Sequence, residues 1–163
     1  AFDKVARLLE LGYPGGPAVQ KAAEQGNASA IKFKLSQGTE SFSFSGIKTA
    51  VSVYLKKNPD ANRFDIAASF QKSVVDTLVH KTIETAKVRQ IPRVMLCGGV
   101  AANKILRESL TNACQTAGFQ FSVPPFEFCT DNAAMVGCAG FFQWQTQGES
   151  QLDVLADPNL VLA

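Results

Sequence analysis

Two short apolar runs near the C-terminal end, residues 93–97 and 119–123, limit what this chain can fold into. Each is too short for a helix and is followed by a stretch with helical spacing, which predicts strand, helix, strand, helix. That order implies two parallel strands joined by a right-handed crossover, and so an α/β unit. The first strand runs into Cys97-Gly98-Gly99-Val100-Ala101-Ala102-Asn103, a glycine pair before a helix start. Glycines there let the backbone approach a ligand closely, and free N–H groups at a helix start favour an anion. After the second strand, Phe128-Cys129-Thr130-Asp131-Asn132 sets an acid–amide pair at another loop-to-helix junction. Two such junctions point to a nucleotide or phosphoester site, whereas either one alone also reads as a tight turn.

The rest of the chain is helical in pattern. Helices are expected over residues 2–11, 17–25, 46–57, 63–89, 103–117 and 133–147, with Ile66, Phe70, Val74, Leu78 and Ile83 marking the inner face of the longest. Residues 31–35 and 41–44 carry short extended patterns, and the tail after Gly148 reads as irregular. A two-stranded sheet covers neither its faces nor its edges, so an unpaired edge is expected.

Composition sets outer limits. The 163 residues, 46% hydrophobic and 18% charged, suffice for one domain with a core. No apolar run reaches membrane-spanning length, and the start carries no signal-peptide pattern. A net charge of +2 is too small to argue for nucleic-acid binding by itself. Cys97, Cys114, Cys129 and Cys138 lack paired spacing and read as reduced thiols in buried or helical settings, which favours a reducing compartment.

Five blocks in order resemble the tRNA threonylcarbamoyladenosine transferase family (TsaD, long described as an O-sialoglycoprotein endopeptidase). They are Ala1-Phe2-Asp3-Lys4-Val5-Ala6, Gly12-Tyr13-Pro14-Gly15-Gly16-Pro17, Phe42-Ser43-Phe44-Ser45-Gly46-Ile47-Lys48-Thr49, Gly98 to Asn103, and Phe128 to Asn132. The resemblance implies the C-terminal half of an actin-like ATPase (RNase H-like) fold, mostly helical with few strands and an incomplete sheet. Residues 1–148 would form the folded half and 149–163 a tail. It also implies transfer of a threonylcarbamoyl group from threonylcarbamoyl-AMP to N6 of the adenosine beside the tRNA anticodon, in the cytoplasm or an organelle. Implied partners are tRNA, accessory proteins of the modification complex, and a missing N-terminal half or a partner chain, with no membrane. A non-catalytic nucleotide-binding or assembly half is the alternative. The older endopeptidase reading lacks His-Glu-x-x-His and a visible histidine partner for any cysteine.

Residue by residue, the resemblance gives Asp3 the ribose hydroxyls, Gly16 a backbone contact to the nucleoside, Gln20 a weak contact, and Gly98 and Gly99 the phosphates. It gives Asn103 a nucleotide contact. Asp131 becomes a ligand to one divalent metal, iron or zinc, whose two histidines belong to a His-x-x-x-His motif that these residues lack. Each has a plainer explanation. Asp3 complements a helix dipole, and Gly16 meets the φ/ψ demands of Pro-Gly-Gly. Asn103 starts one helix, and Asp131 caps another. His80 reads as a surface or core histidine, Lys48, Lys56 and Lys57 as solvated, and Phe42-Ser43-Phe44 as a half-buried strand. Glu10 stands where the family pattern carries glycine, which bears on local packing.

Overall fold

The structure is a computed structural model, described for residues 1–34, 42, 44–153, 155 and 157. Among the described residues six α-helices and two strands follow in the order α1 (Phe2–Leu8), α2 (Gly15–Ala23), α3 (Ser45–Lys57), α4 (Arg63–Val88), β1 (Arg93–Met95), α5 (Lys104–Ala117), β2 (Gln120–Ser122) and α6 (Ala133–Gln147). Single 3-10 turns, Gly99–Ala102 and Phe126–Phe128, stand before α5 and α6. The strands pair in parallel, with Val94 opposite Phe121. The fold is therefore a mostly helical α/β unit around a two-stranded parallel sheet, as the strand–helix–strand order requires.

Helix α4 organises everything else. Its N-terminal half packs Ile66, Phe70 and Val74 against Val5 of α1 and Leu9 just beyond it, Val19 of α2, and Ile47 and Val51 of α3. Its C-terminal half contributes Val75 and Ile83 to smaller clusters with Leu106, Leu110 and Cys114 of α5 and Val94 of β1. The predicted inner face of α4 thus lies inward, with Leu78 only partly buried. The sheet is covered on one side only. Val94 is buried, while Met95 on the opposite face is 79% exposed. Among the described residues neither strand has a second neighbour, so both outer edges are open.

Several expectations need correcting. The first helix ends at Leu8, not at residue 11, because Glu10 adopts φ 56°. That is the left-handed region that favours glycine, so Glu10 strains the backbone there more than it disturbs packing. Arg63 partly compensates through an exposed ion pair with Glu10 and a bond to the Leu9 carbonyl. Residues 31–34 form no strand; the Ile31 amide donates to the Ser69 hydroxyl of α4 instead. Ser45 opens α3 from inside the helix, with Phe44 before it. Of the expected 41–44 strand, Ser41 and Ser43 lie outside the described residues, and the rings of Phe42 and Phe44 stack 6.1 Å apart. Pro14 to Pro17 needs no left-handed residue. The positive φ in that turn falls on Gly12, whereas Gly15 and Gly16 are already helical.

Candidate functional site

The site begins where α1 meets α2. Asp3 Oδ1 accepts the Gly15 N–H at 2.8 Å, so Asp3 satisfies the start of α2 and not only its own helix dipole. The approach is so tight that a side chain on Gly15 would overlap the Asp3 backbone, which explains the glycine. One turn along α2, Gln20 Oε1 accepts the Lys104 N–H at 3.0 Å and ties α2 to the first turn of α5. Asn103 caps α5 by accepting the Leu106 N–H at 3.0 Å, and its Nδ2 donates at 2.8 Å to the buried Gln71 of α4. Three helices thereby fix one another through side-chain amides.

This bracing corrects the sequence picture of a bare helix start. Two of the first N–H groups of α5 are taken by Gln20 and Asn103, and a 3-10 turn that begins at Gly99 separates Gly98 from α5. The open backbone lies one step earlier. Gly98 adopts φ 85°, which only glycine takes without strain, and swings the chain into that turn. At Gly99 and at Gly16 neither φ nor any neighbouring atom requires glycine, since an added Cβ would meet nothing within 4 Å.

Gly16 and Gly99 face one cavity of about 350 Å³, lined also by Phe2, Asp3, Gln20, Val100 and Asn103. That volume falls in the range of small-molecule sites. Five of the sequence-derived candidates, far apart in the chain, therefore converge on one cleft beyond the carboxyl end of β1, where α/β sheets place ligands. Gly98 stands behind the lining as its hinge. A larger hollow of about 590 Å³, beside Lys32 and Lys72, touches none of the candidates.

The acidic loop behaves differently. Thr130 reaches the cavity, but Asp131 does not line it. The cap of α6 is Asn132, which accepts the Met135 N–H at 2.9 Å, so the capping explanation for Asp131 is wrong. Among the described residues the exposed Asp131 carboxylate has no hydrogen bond or ion pair, and no three His, Cys, Asp or Glu side chains gather there or elsewhere. One carboxylate does not make a divalent-metal site. His80 is exposed on α4 beside Ile83, Glu84 and Ser109, with no cysteine in that group. All four cysteines are free thiols; Cys114 and Cys129 are buried and Cys138 is exposed on helix α6, while Cys97 is exposed outside any helix, contrary to the expected buried or helical setting.

One residue escaped the sequence reading. Arg107 of α5 donates to the carbonyls of Ala101 and Pro124, lies 3.0 Å from the Cys129 sulfur, and stacks 4.1 Å from the Phe126 ring centroid. It joins the loop after β1 to the loop after β2. An arginine in the first turn of a helix carries no local signal of such a role; the fork of donors matters only once two loops lie within its reach.

These features define a class: an α/β unit with a cleft built from the loop after one parallel strand and the starts of three helices. The chain belongs to the tRNA N6-adenosine threonylcarbamoyltransferase family, whose model matches residues 1–138. It is 49% identical over 169 aligned positions to the tRNA N6-adenosine threonylcarbamoyltransferase of Clostridium botulinum strain 657, covering 99% of this chain and 50% of that protein. Proteins of the same name from Thermosipho melanesiensis and Clostridium beijerinckii are 48% and 46% identical over the same shares. The chain spans about half the length of the curated relatives it matches.

Proposed function

We propose that this chain is the nucleotide-holding half of a tRNA N6-adenosine threonylcarbamoyltransferase with an actin-like fold, and that the 350 Å³ cleft receives the adenylate of threonylcarbamoyl-AMP. The convergence of Asp3, Gly16, Gln20, Gly99 and Asn103 on that cleft carries the reading. Asp3 spends one oxygen on Gly15 and keeps the other as an acceptor suited to a ribose hydroxyl. Gly16 and Gly99 leave room that a Cβ would fill, which suits close backbone approach to a nucleoside and to phosphate. Asn103 retains one amide hydrogen beyond the one held by Gln71.

In the reaction, N6 of the tRNA adenosine attacks the carbamoyl carbon, the bond to the AMP phosphate oxygen breaks, and N6 gives up a proton. This half holds the leaving nucleotide. A divalent metal would meet only Asp131 here, so no step is assigned to it. tRNA, accessory proteins and a cytoplasmic or organellar setting belong to the same proposal. No helix among the described residues is long and apolar enough to cross a membrane.

Calorimetric titration of the chain with AMP tests the cleft. Asp3→Asn keeps an acceptor for Gly15 and removes the carboxylate's charge and second acceptor. It should weaken binding by about 1–3 kcal/mol while the melting temperature hardly moves. Equal affinity in the two proteins would remove Asp3 from the site, and no AMP binding at all would overturn the assignment of the cleft.

A further inference from the structure

The cleft offers hydrogen-bonding groups but no cation. Among the described residues that line it there is no lysine, arginine or histidine, and Asp3 is a carboxylate. Recognition of a phosphate there falls to uncharged donors. Two side-chain amides supply part of the set. Gln20 uses its oxygen on Lys104 and keeps its NH2, and Asn103 uses one amide hydrogen on Gln71 and keeps the other. The remaining side-chain donor is the Thr130 hydroxyl, the one hydroxyl among these lining residues.

Thr130 is free for that task and held in place for it. Among the described residues its hydroxyl has no hydrogen bond, and only its carbonyl is engaged, accepting from Asn132 Nδ2 at 2.9 Å. Asn132 also caps α6 through Oδ1, so it ties Thr130 to the start of a helix. On the other side Cys129 is buried, 3.0 Å from the Arg107 guanidinium. The hydroxyl thus stands between two fixed neighbours, and little ordering is left for a ligand to impose. Strands β1 and β2 run parallel, so the loops after them leave the same end of the sheet and bring Thr130 to the same cavity as Gly99 and Asn103. Asp3 and Gly16 come instead from α1 and α2. A nucleotide with its ribose at Asp3 therefore turns its phosphate toward the strand loops, where Thr130 is.

We propose that Thr130 contacts the ligand directly, its hydroxyl donating a hydrogen bond to a phosphate oxygen of the adenylate. The contact rests on the reading of the cleft as an adenylate site and adds to it a residue that recognises the phosphoryl group. It also gives the acidic loop work in this half that requires no second carboxylate. Asp131 does not line the cavity, and its neighbour presents a group that an anion does not repel.

Calorimetric titrations of the chain with AMP and with adenosine test the contact. The parent should bind AMP more tightly than adenosine. Thr130→Val keeps the shape and removes the hydroxyl; it should weaken AMP binding about tenfold, the loss of one hydrogen bond to a charged group, and leave adenosine binding unchanged. Thr130→Ser should restore the AMP affinity, with one melting temperature for all three proteins. A Thr130→Val chain that binds AMP as the parent does overturns the proposal. So does an equal loss for adenosine, a serine variant that stays weak, or a parent that binds the two compounds alike. Each of these leaves a nucleoside site in the cleft. A parent that binds neither compound removes the adenylate site itself, and the Thr130 contact with it.

Discussion

Helices α4 and α6 invert the usual relation between composition and burial. In α4, 26 residues long and interspersed with Arg63, Asp65, Lys72, Asp76 and Lys81, ten positions are buried and Phe70 is fully enclosed. In α6, uncharged throughout, none is. Apolar content therefore does not by itself decide burial. A helix is buried when other elements are present to cover it, and α4 runs between two clusters of helices while α6 has no such neighbours among the described residues. The same contrast separates the two loops of the cleft. The loop after β1 is braced by α2, α4 and α5 through Gln20, Gln71 and Asn103, whereas Asp131 stands free.

The sharpest test of this contrast compares two phenylalanines. Phe70→Ala should cost about 3–5 kcal/mol in urea unfolding, the range for a large buried aromatic ring. Phe141→Ala should stay within about 0.5 kcal/mol, as exposed sites do. A comparable loss at Phe141 would mean that α6 packs on this chain after all. Next in size is Arg107→Ala, expected to cost about 1.5–3 kcal/mol through its charged hydrogen bonds. Hydrogen exchange should then quicken in both loops, residues 98–102 and 124–129, and faster exchange in only one would break the proposed link.

Smaller effects distinguish the helix caps. Asn103→Ala should lower global stability by about 1 kcal/mol. The substitution removes both the cap of α5 and the bond to Gln71. Asn132→Ala should cut α6 helicity by circular dichroism and leave the global midpoint in place, because α6 unfolds apart from the core. The smallest effect concerns Cys114, whose thiol burial pushes above its ordinary value. The unfolded chain therefore ionises first. The contribution to stability is complete below about pH 8.5 and is lost as pH rises beyond it. Melting curves across that window should fall less steeply for Cys114→Ala than for the parent, on a lower baseline.

The sequence alone determined the order of the helices, the parallel strand pair and five of the cleft's members. Spacing is a local property: the periodicity of 63–89 and the limits of 133–147 survive in the structure almost residue for residue, since backbone hydrogen bonds and side-chain period are set within a few positions. Family motifs carried Asp3, Gly16, Gln20, Gly99 and Asn103 as separate candidates, and the fold brought them to one cavity. Only tertiary structure decided what each side chain does there. Asp3 serves the next helix, Gln20 reaches 84 residues along the chain to Lys104, and Arg107 ties two loops that spacing never connects. Such bonds depend on groups that meet only after packing. A short sequence window cannot hold both partners, and the surplus apolar surface of α6 becomes visible only once the rest of the core is complete.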